Sequence, residues 1–511
     1  MNQMSKSIMI LGTMSNAGKS LITAGLCRIF KQDGYRVAPF KSQNMALNSY
    51  VTAAGLEMGR AQVVQAEAAG ILPDVRMNPI LLKPTSDSGS QVVVNGEVLG
   101  DMDAQTYFRY KKSLLPKVME AYHSLEEEFE VIVLEGAGSP AEINLKEEDI
   151  VNLGMGKASA SPVLLVGDID RGGVFAQLYG TVELLEKEER SYIKGLVINK
   201  FRGDKNLLMP GNKMLEDKVH IPVVGVVPYT RLDIDDEDSL SERLDQTGRK
   251  ERDARVDIAV IRLPHISNFT DLNVFSLLPE VSVRYIMHPG QLENPDMVVL
   301  PGTKNTMGDL RWLKDIGLYD KLKEYYAEGG VVFGICGGYQ MLGASLEDPH
   351  GVEEGGAEKG LGFFDAATVF TTEKRRTQVK GHFLETGGLL DGLKSIEAEG
   401  YEIHMGRLSH MPESAKPFLS LQDINTGETV QDGIAGERVF GTYLHGVFDA
   451  PGIAFETAKA LAKRKGITLT DAGESLKSPA QHKEEQYDLL AKTLRENLDM
   501  EQVYRILEEG I

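Results

Sequence analysis

Six short runs rich in Val, Ile and Leu punctuate the first half of the chain, each leading into glycine or a helical pattern. They are Ile8–Leu11, Arg36–Phe40, Val131–Leu134, Val163–Val166, Gly195–Ile198 and Val223–Val227. Near-continuous apolar runs of this length suit strands covered on both faces. Their alternation with helical stretches predicts an α/β fold on a doubly wound parallel sheet. A second series, Asp257–Arg262, Val281–Ile286, Met297–Leu300 and Val331–Ile335, predicts a second unit of the same kind. Between the two lies Arg231–Arg255, dense in charge and poor in large apolar residues, which reads as a linker or exposed connection. The expected organisation is a first domain over 1–230, a charged linker over 231–255, a second domain over 256–450, and a polar helical segment over 451–511 that carries no chemistry.

The first run opens onto a glycine loop. Ile8 to Ser20 reads IMILGTMSNAGKS: a strand, a loop, Gly18-Lys19-Ser20, then a helical pattern. Backbone N–H groups in such a loop wrap phosphate oxygens, Lys19 can reach the terminal phosphates, and Ser20 can ligate Mg²⁺. Gly12, Thr13, Gly18, Lys19 and Ser20 are therefore the expected ATP-binding residues. The first glycine sits one residue further out than in the G-x-x-x-x-G-K-[ST] pattern. Other strand ends fit the same site. Glu135 follows Val131–Leu134 and places a carboxylate where ligands gather in open α/β sheets, a sensible Mg²⁺ ligand beside Ser20. Asn199 and Lys200 end another strand and can read the adenine base. Lys41 ends the second strand and can neutralise phosphate or substrate carboxylate charge. Each of these, taken singly, is also compatible with a solvated strand cap.

The sharpest signal is Val331–Gln340, VVFGICGGYQ. A buried strand ends at Cys336, glycines follow, and a helical pattern begins. A tight turn of this kind projects a nucleophile at the start of a helix, whose positive end favours an anionic side chain. The N–H of Gly337 can stabilise an oxyanion, with a second donor from Gly302 in LPGTKNT. His445, in GTYLHG, supplies the base. The alternative for Cys336 is a buried structural thiol, which the flanking glycines disfavour.

Composition excludes several classes. Lys and Arg total 55 against 75 Asp and Glu, a net charge of −20, which argues against nucleic-acid or anionic-membrane surfaces. No apolar stretch reaches the ~20 residues of a membrane span, and no signal-like segment precedes Ile8. Two cysteines, Cys27 and Cys336, fall in different expected domains, so a reducing, cytoplasmic setting without disulfides is expected.

The expanded loop G-T-x-[ST]-x-x-G-K-[ST] resembles dethiobiotin synthetase and its relatives, which use ATP to activate a carboxylate. Partitioning ATPases carry an additional lysine early in the loop, where this chain has Thr13, Met14 and Ser15. G-x-C-G-G-x-Q with Y-L-H-G resembles the class I glutamine amidotransferase domain, which is flavodoxin-like. Such a domain implies Cys336 as the nucleophile that attacks L-glutamine and His445 as its base. That family's glutamate two residues after the histidine is replaced by Val447. Either another acid orients the imidazole or the pair works as a dyad with modest free glutaminase activity.

Longer words narrow the resemblance. KSQNMALNS (Lys41–Ser49), EGAGSPAEINL (Glu135–Leu145), DIDRGGVF (Asp168–Phe175), NKFRGD (Asn199–Asp204), LPHISNFTD (Leu263–Asp271), PGTKNT (Pro301–Thr306) and YEIHMG (Tyr401–Gly406) resemble the cobyric acid synthase family of the cobalamin pathway. The resemblance runs from Gly12 to His445. It implies ATP- and glutamine-dependent amidation of the b, d, e and g carboxylates of a corrinoid, adenosylcobyrinic acid a,c-diamide. Two sites on one chain lead us to expect internal passage of ammonia, which would be protonated and diluted if released. The cobalt belongs to the substrate. Asp149, Asp168 and Asp170 are expected to help bind substrate or metal, and Arg171 suits a substrate carboxylate. The job of Tyr401–Gly406 is left open, and a homo-oligomer is compatible with the sequence. The rival readings are the same chemistry on another carboxylate, and a nucleotide switch carrying a vestigial amidotransferase domain.

Overall fold

Each apolar run of the first half forms a strand in the computed structural model, which describes residues 5–85, 89–235, 250–413, 415–470 and 478–511. The strands are β1 (Lys6–Gly12), β2 (Val37–Phe40), β3 (Val131–Glu135), β4 (Val163–Asp168), β5 (Ile193–Phe201) and β6 (Val223–Pro228). They form one parallel sheet in the order β6-β5-β4-β1-β3-β2. β1 to β4 are buried along most or all of their length, which explains their unbroken apolar character. The order reverses around β1, the switch point at which such sheets receive ligands. Gly12, Lys41, Glu135, Asp168 and Asn199 all lie at or next to the carboxyl ends of these strands. Register sets Ile10 beside Glu135 and Asp168 beside Asn199. Two helices complete the frame, α1 (Lys19–Gln32) and α2 (Arg60–Ala69).

The chain separates into two compact units. One comprises Met1–Ala46, Met58–Asp235 and His482–Ile511; the other comprises Leu47–Glu57 and Asp236–Gln481. In the second unit, β7 (Val256–Ile261), β8 (Val281–Ile286), β9 (Met297–Leu300), β10 (Val332–Ile335), β11 (Ile434–Ala435) and β12 (Val439–Thr442) form a sheet in the order β8-β7-β9-β10-β12-β11. All neighbours are parallel except β11 with β12. A short helix, α3 (Gly337–Met341), leaves β10. The same unit carries a second sheet built on the antiparallel strands Ala367–Phe383 and Glu397–Leu408.

Two features differ from the sequence expectation. The tail does not act as one segment. Ile453–Arg464 is a helix of the second unit, whereas α4 (Pro479–Arg495) and α5 (Met500–Glu509) supply core to the first. Tyr487, Leu490, Leu494, Val503, Ile506 and Leu507 are buried in the same cluster as Ile8, Ile22 and Leu26. Arg28 of α1 ion-pairs with Asp488 at 2.8 Å and Glu484 at 2.7 Å. The charged linker also begins inside the fold: Ile234 joins that core, and the Asp235 side chain, 8% exposed, sits between Arg60 at 2.5 Å and Lys483 at 2.8 Å. Residues 236–249 of the expected linker lie outside the described residues.

Candidate active sites

In the first unit the loop after β1 folds back over its own lysine. Gly18 caps α1 with φ 98°, and a Cβ there would lie 2.1 Å from Asn199 Nδ2. Only glycine meets both demands. Lys19 is nearly buried, and its Nζ donates to the carbonyls of Met14 at 3.0 Å and Gly138 at 3.2 Å. Asn199 Nδ2 donates to Ala17 O at 2.9 Å, so this strand-end residue braces the loop. Thr13 Oγ1 donates to Gln177 Oε1 at 3.2 Å.

Glu135 is the hub of the site. It is 1% exposed. Its Oε1 accepts from Ser20 Oγ at 2.8 Å and from Lys41 Nζ at 3.0 Å, while Oε2 accepts from Gln65 Nε2 at 2.6 Å. The end of β2, the first turn of α1 and α2 thus converge on the buried carboxylate that ends β3. Ser20 Oγ and Glu135 are hard oxygen donors within hydrogen-bond reach of each other. With phosphate oxygens beside them they suit Mg²⁺, which is commonly held by one or two carboxylates plus substrate phosphates. Gln65 was not foreseen, because a glutamine inside the helical run RAQVVQAEAA forms no motif.

Four of the remaining predicted residues, Asp168, Asp170, Arg171 and Lys200, form a second group. Asp168 is fully buried, lies 3.1 Å from Lys200 Nζ and 4.0 Å from Arg171 Nε, and accepts from the N–H of Asp170 at 2.8 Å. Asp170 pairs in turn with Arg202 at 2.8 Å. Lys200 is thereby turned toward Asp168. Asp149 stands apart from both groups. Its oxygens accept from the backbone N–H groups of Val151, Asn152 and Gly154 at 2.8–2.9 Å. That turn aims Asn152 at Ala137, where its side chain makes two hydrogen bonds to the backbone, at 3.0 and 2.8 Å. Asp149 shapes the loop that follows Glu135.

In the second unit Cys336 sits between β10 and α3 with φ 50° and ψ −109°. A non-glycine residue held there costs on the order of 1–3 kcal/mol, and such strain concentrates at functional turns. Gly337 opens α3, so its N–H is one that no helical carbonyl can reach. Cys336 Sγ lies 3.5 Å from Ile403 O. His445 is 1% exposed. A Cβ on Gly302 would stand 3.0 Å from His445 Cε1, so the imidazole packs directly on this glycine.

The acid absent from position 447 is supplied from elsewhere. His445 Nδ1 donates to Asp271 Oδ2 at 2.8 Å, and the N–H of Gly446 donates to Asp271 Oδ1 at 2.8 Å. Val447 is a fully buried core residue. Burial alone pushes the imidazole down, but the charge and hydrogen bond of Asp271, followed by Cys336, outweigh it and raise His445 to about 10. Tyr401 stacks on the imidazole with centroids 5.3 Å apart and planes at 23°. Nearby His404 stacks on Tyr443 at 3.8 Å, and burial drives it down to about 3, which keeps it neutral.

A buried Cys–His–Asp constellation on one sheet and a carboxylate-centred phosphate loop on another define an amidotransferase joined to a nucleotide-binding unit. Family comparison agrees. Residues 257–453 match the CobB/CobQ-like glutamine amidotransferase domain, and residues 8–240 match the CobQ/CobB/MinD/ParA nucleotide binding domain. The chain belongs to the cobyric acid synthase family. It is 56% identical over 510 residues to the cobyric acid synthase of Ruminiclostridium cellulolyticum, covering 99% of this chain and 98% of that one. It is 56% identical to that of Lachnoclostridium phytofermentans (99% and 100% covered) and 52% identical to that of Alkaliphilus metalliredigens (98% and 99% covered).

Among the described residues no helix is long and apolar enough to cross a membrane. Both cysteines are free and buried.

Proposed function

We propose that this protein amidates the b, d, e and g carboxylates of adenosylcobyrinic acid a,c-diamide, using glutamine and ATP, to give adenosylcobyric acid. The observation that carries the reading is the presence of both half-reactions' machinery on one chain with full-length kinship to cobyric acid synthases. The Cys336 thiolate attacks the side-chain amide carbon of glutamine, and the N–H groups of Gly337 and Gly302 receive the developing oxyanion. The tetrahedral intermediate collapses as His445 protonates the leaving nitrogen. Ammonia departs and a glutamyl thioester remains. Water, activated by the now neutral imidazole, cleaves it to glutamate and regenerates the thiolate.

At the other site a substrate carboxylate oxygen attacks the γ-phosphorus of ATP and ADP leaves, which turns a poor electrophile into an acyl phosphate. Ammonia adds to the acyl carbon and phosphate departs. Catalysis here is positioning and charge neutralisation. Loop N–H groups and Lys19 would hold the phosphates, Lys41 would neutralise charge on the transferring group, and Glu135 with Ser20 would hold Mg²⁺. When bound, the ion neutralises charge on the β- and γ-phosphate oxygens. Arg171 and its neighbours Asp168 and Asp170 line the substrate side.

The test is incubation with adenosylcobyrinic acid a,c-diamide, glutamine and Mg-ATP, followed by mass spectrometry of the corrinoid. Each conversion replaces OH by NH₂, so the products form a resolvable series. A series ending at the tetra-amidated product supports the reading. An unchanged corrinoid with intact glutamine hydrolysis rejects the substrate and leaves the amidotransferase.

A further inference from the structure

Three of the sequence words have no assigned job as words: KSQNMALNS, LPHISNFTD and YEIHMG. In the second unit residues from all three gather around His445: Asn48 and Ser49, Asn268 and Asp271, and Tyr401. The chain enters this unit at Leu47 and leaves it at Glu57, forming an arm from the N-terminal part of the sequence. Asn48, Ser49, Val51 and Glu57 of the arm are each 1% exposed or less.

The arm grips both partners of the histidine. Asn268 has φ 53° and opens the turn Phe269–Leu277 that carries Asp271. Its backbone N–H donates to Asn48 Oδ1 at 2.8 Å, and its side-chain Oδ1 accepts from the N–H of Ser49 at 2.9 Å. This reciprocal pair fixes an unfavourable backbone conformation three residues before the acid. On the other side Tyr401, stacked on the imidazole, donates its hydroxyl to Ser49 O at 3.0 Å. Tyr401 and His445 also exchange backbone hydrogen bonds at 3.2 and 2.9 Å. Tyr50 packs edge-on against Tyr401 at 5.2 Å, and Gln378 Nε2 donates to Tyr50 Oη at 2.8 Å and Val51 O at 2.9 Å.

We infer that the arm is a positioning element for glutamine hydrolysis, with Asn48 and Ser49 setting Asp271 through Asn268 and setting the imidazole plane through Tyr401. The arm continues the chain from Lys41, the residue paired with Glu135, so the two half-reactions share one stretch of backbone. Neither Asn48 nor Tyr401 transfers a proton. They act through the groups that do. The inference rests on Cys336 and His445 hydrolysing glutamine.

The test compares Asn48→Ala, Asn48→Asp and Tyr401→Phe in the full chain. Asn48→Asp keeps the acceptor for Asn268, and Tyr401→Phe keeps the stack while deleting the bond to Ser49. Asn48→Ala and Tyr401→Phe are expected to lower kcat for glutamine roughly 10- to 100-fold with KM little changed. Amidation driven by ammonium chloride should be unaffected. The alkaline limb of the pH–kcat/KM profile for glutamine should move to lower pH, because Asp271 no longer holds the imidazolium. Asn48→Asp should restore both readouts. Unchanged kcat and an unmoved alkaline limb in Tyr401→Phe would overturn the inference even if Asn48→Ala failed to fold. Absent glutaminase activity in the parent protein, matching a Cys336→Ser control, would instead remove the reading on which the inference stands.

Discussion

Asp271 lies 174 residues before His445 in sequence, yet its carboxylate accepts a hydrogen bond from Nδ1–H of that imidazole at 2.8 Å and another from the N–H of Gly446 with its other oxygen. The pairing fixes the tautomer and leaves Nε2 for Cys336. It also sets the pH range. The folded imidazole titrates near 10 and an unperturbed one near 6.5. Protonated His445 therefore stabilises the fold fully below about pH 6.5, and this contribution is lost as pH rises through about 10. The imidazolium beside Cys336 disappears over the same upper range. Asp271→Asn should lower glutamine-dependent kcat/KM by roughly 10²- to 10⁴-fold and shift its alkaline limb acidward. A pH–rate profile checks this, and an unmoved limb would mean that Asp271 does not hold the imidazolium.

The Lys41–Glu135 pair makes the opposite separation. Both side chains are almost entirely buried, 3.0 Å apart. Glu135→Gln leaves the ammonium without its counter-charge, and breaking a buried pair in this way costs on the order of 3–5 kcal/mol. Glutamine-driven and ammonia-driven amidation should fall together by at least ~10²-fold. Glutamine hydrolysis without acceptor should persist. If ammonia-driven amidation survives, Glu135 is not at the phosphoryl-transfer site.

Gly302 tests how tightly the imidazole is seated. A Cβ there meets His445 Cε1 and Ser267 O at 3.0 Å each. Gly302→Ala should displace the ring and cut glutaminase activity roughly 10²-fold, since misplacement of this size degrades the attack geometry. The backbone N–H survives the change, so retained activity would assign Gly302 to the oxyanion alone. Initial rates of glutamate release distinguish the two.

Much of this was legible because the chemistry sits at strand ends. The apolar runs fixed the strands, and the residues directly after them, Lys41, Glu135 and Cys336, reached the sites with no further information. Asp271 was not assignable, since an aspartate inside LPHISNFTD pairs with a histidine 174 residues on only once the sheet is formed. Gln65 was hidden in a helix whose pattern reads as core. Asp149 shows the converse: an acid beside a functional word drew a ligand role, whereas its two oxygens are taken by three backbone N–H groups. The tail misled through its composition. Its charged face is prominent in sequence, while the apolar stripe of Tyr487, Leu490 and Leu494 signals burial without naming the partner.

That stripe yields the last prediction. Leu494 is fully buried in the core shared with β1 and α1, the elements that carry the phosphate loop. Truncating a buried leucine removes its transfer free energy and leaves a cavity, together roughly 2–5 kcal/mol. Leu494→Ala should therefore lower the unfolding temperature of the nucleotide-binding unit and the temperature at which ATP-dependent amidation is lost. Glutamine hydrolysis should keep its thermal profile, because α4 from His482 onward belongs to the first unit. Calorimetry with and without Mg-ATP, run beside a glutaminase assay at each temperature, checks both halves. A tail lying on the surface as an appendage would give a change below about 0.5 kcal/mol, as surface substitutions do. That outcome would contradict the packing described for α4.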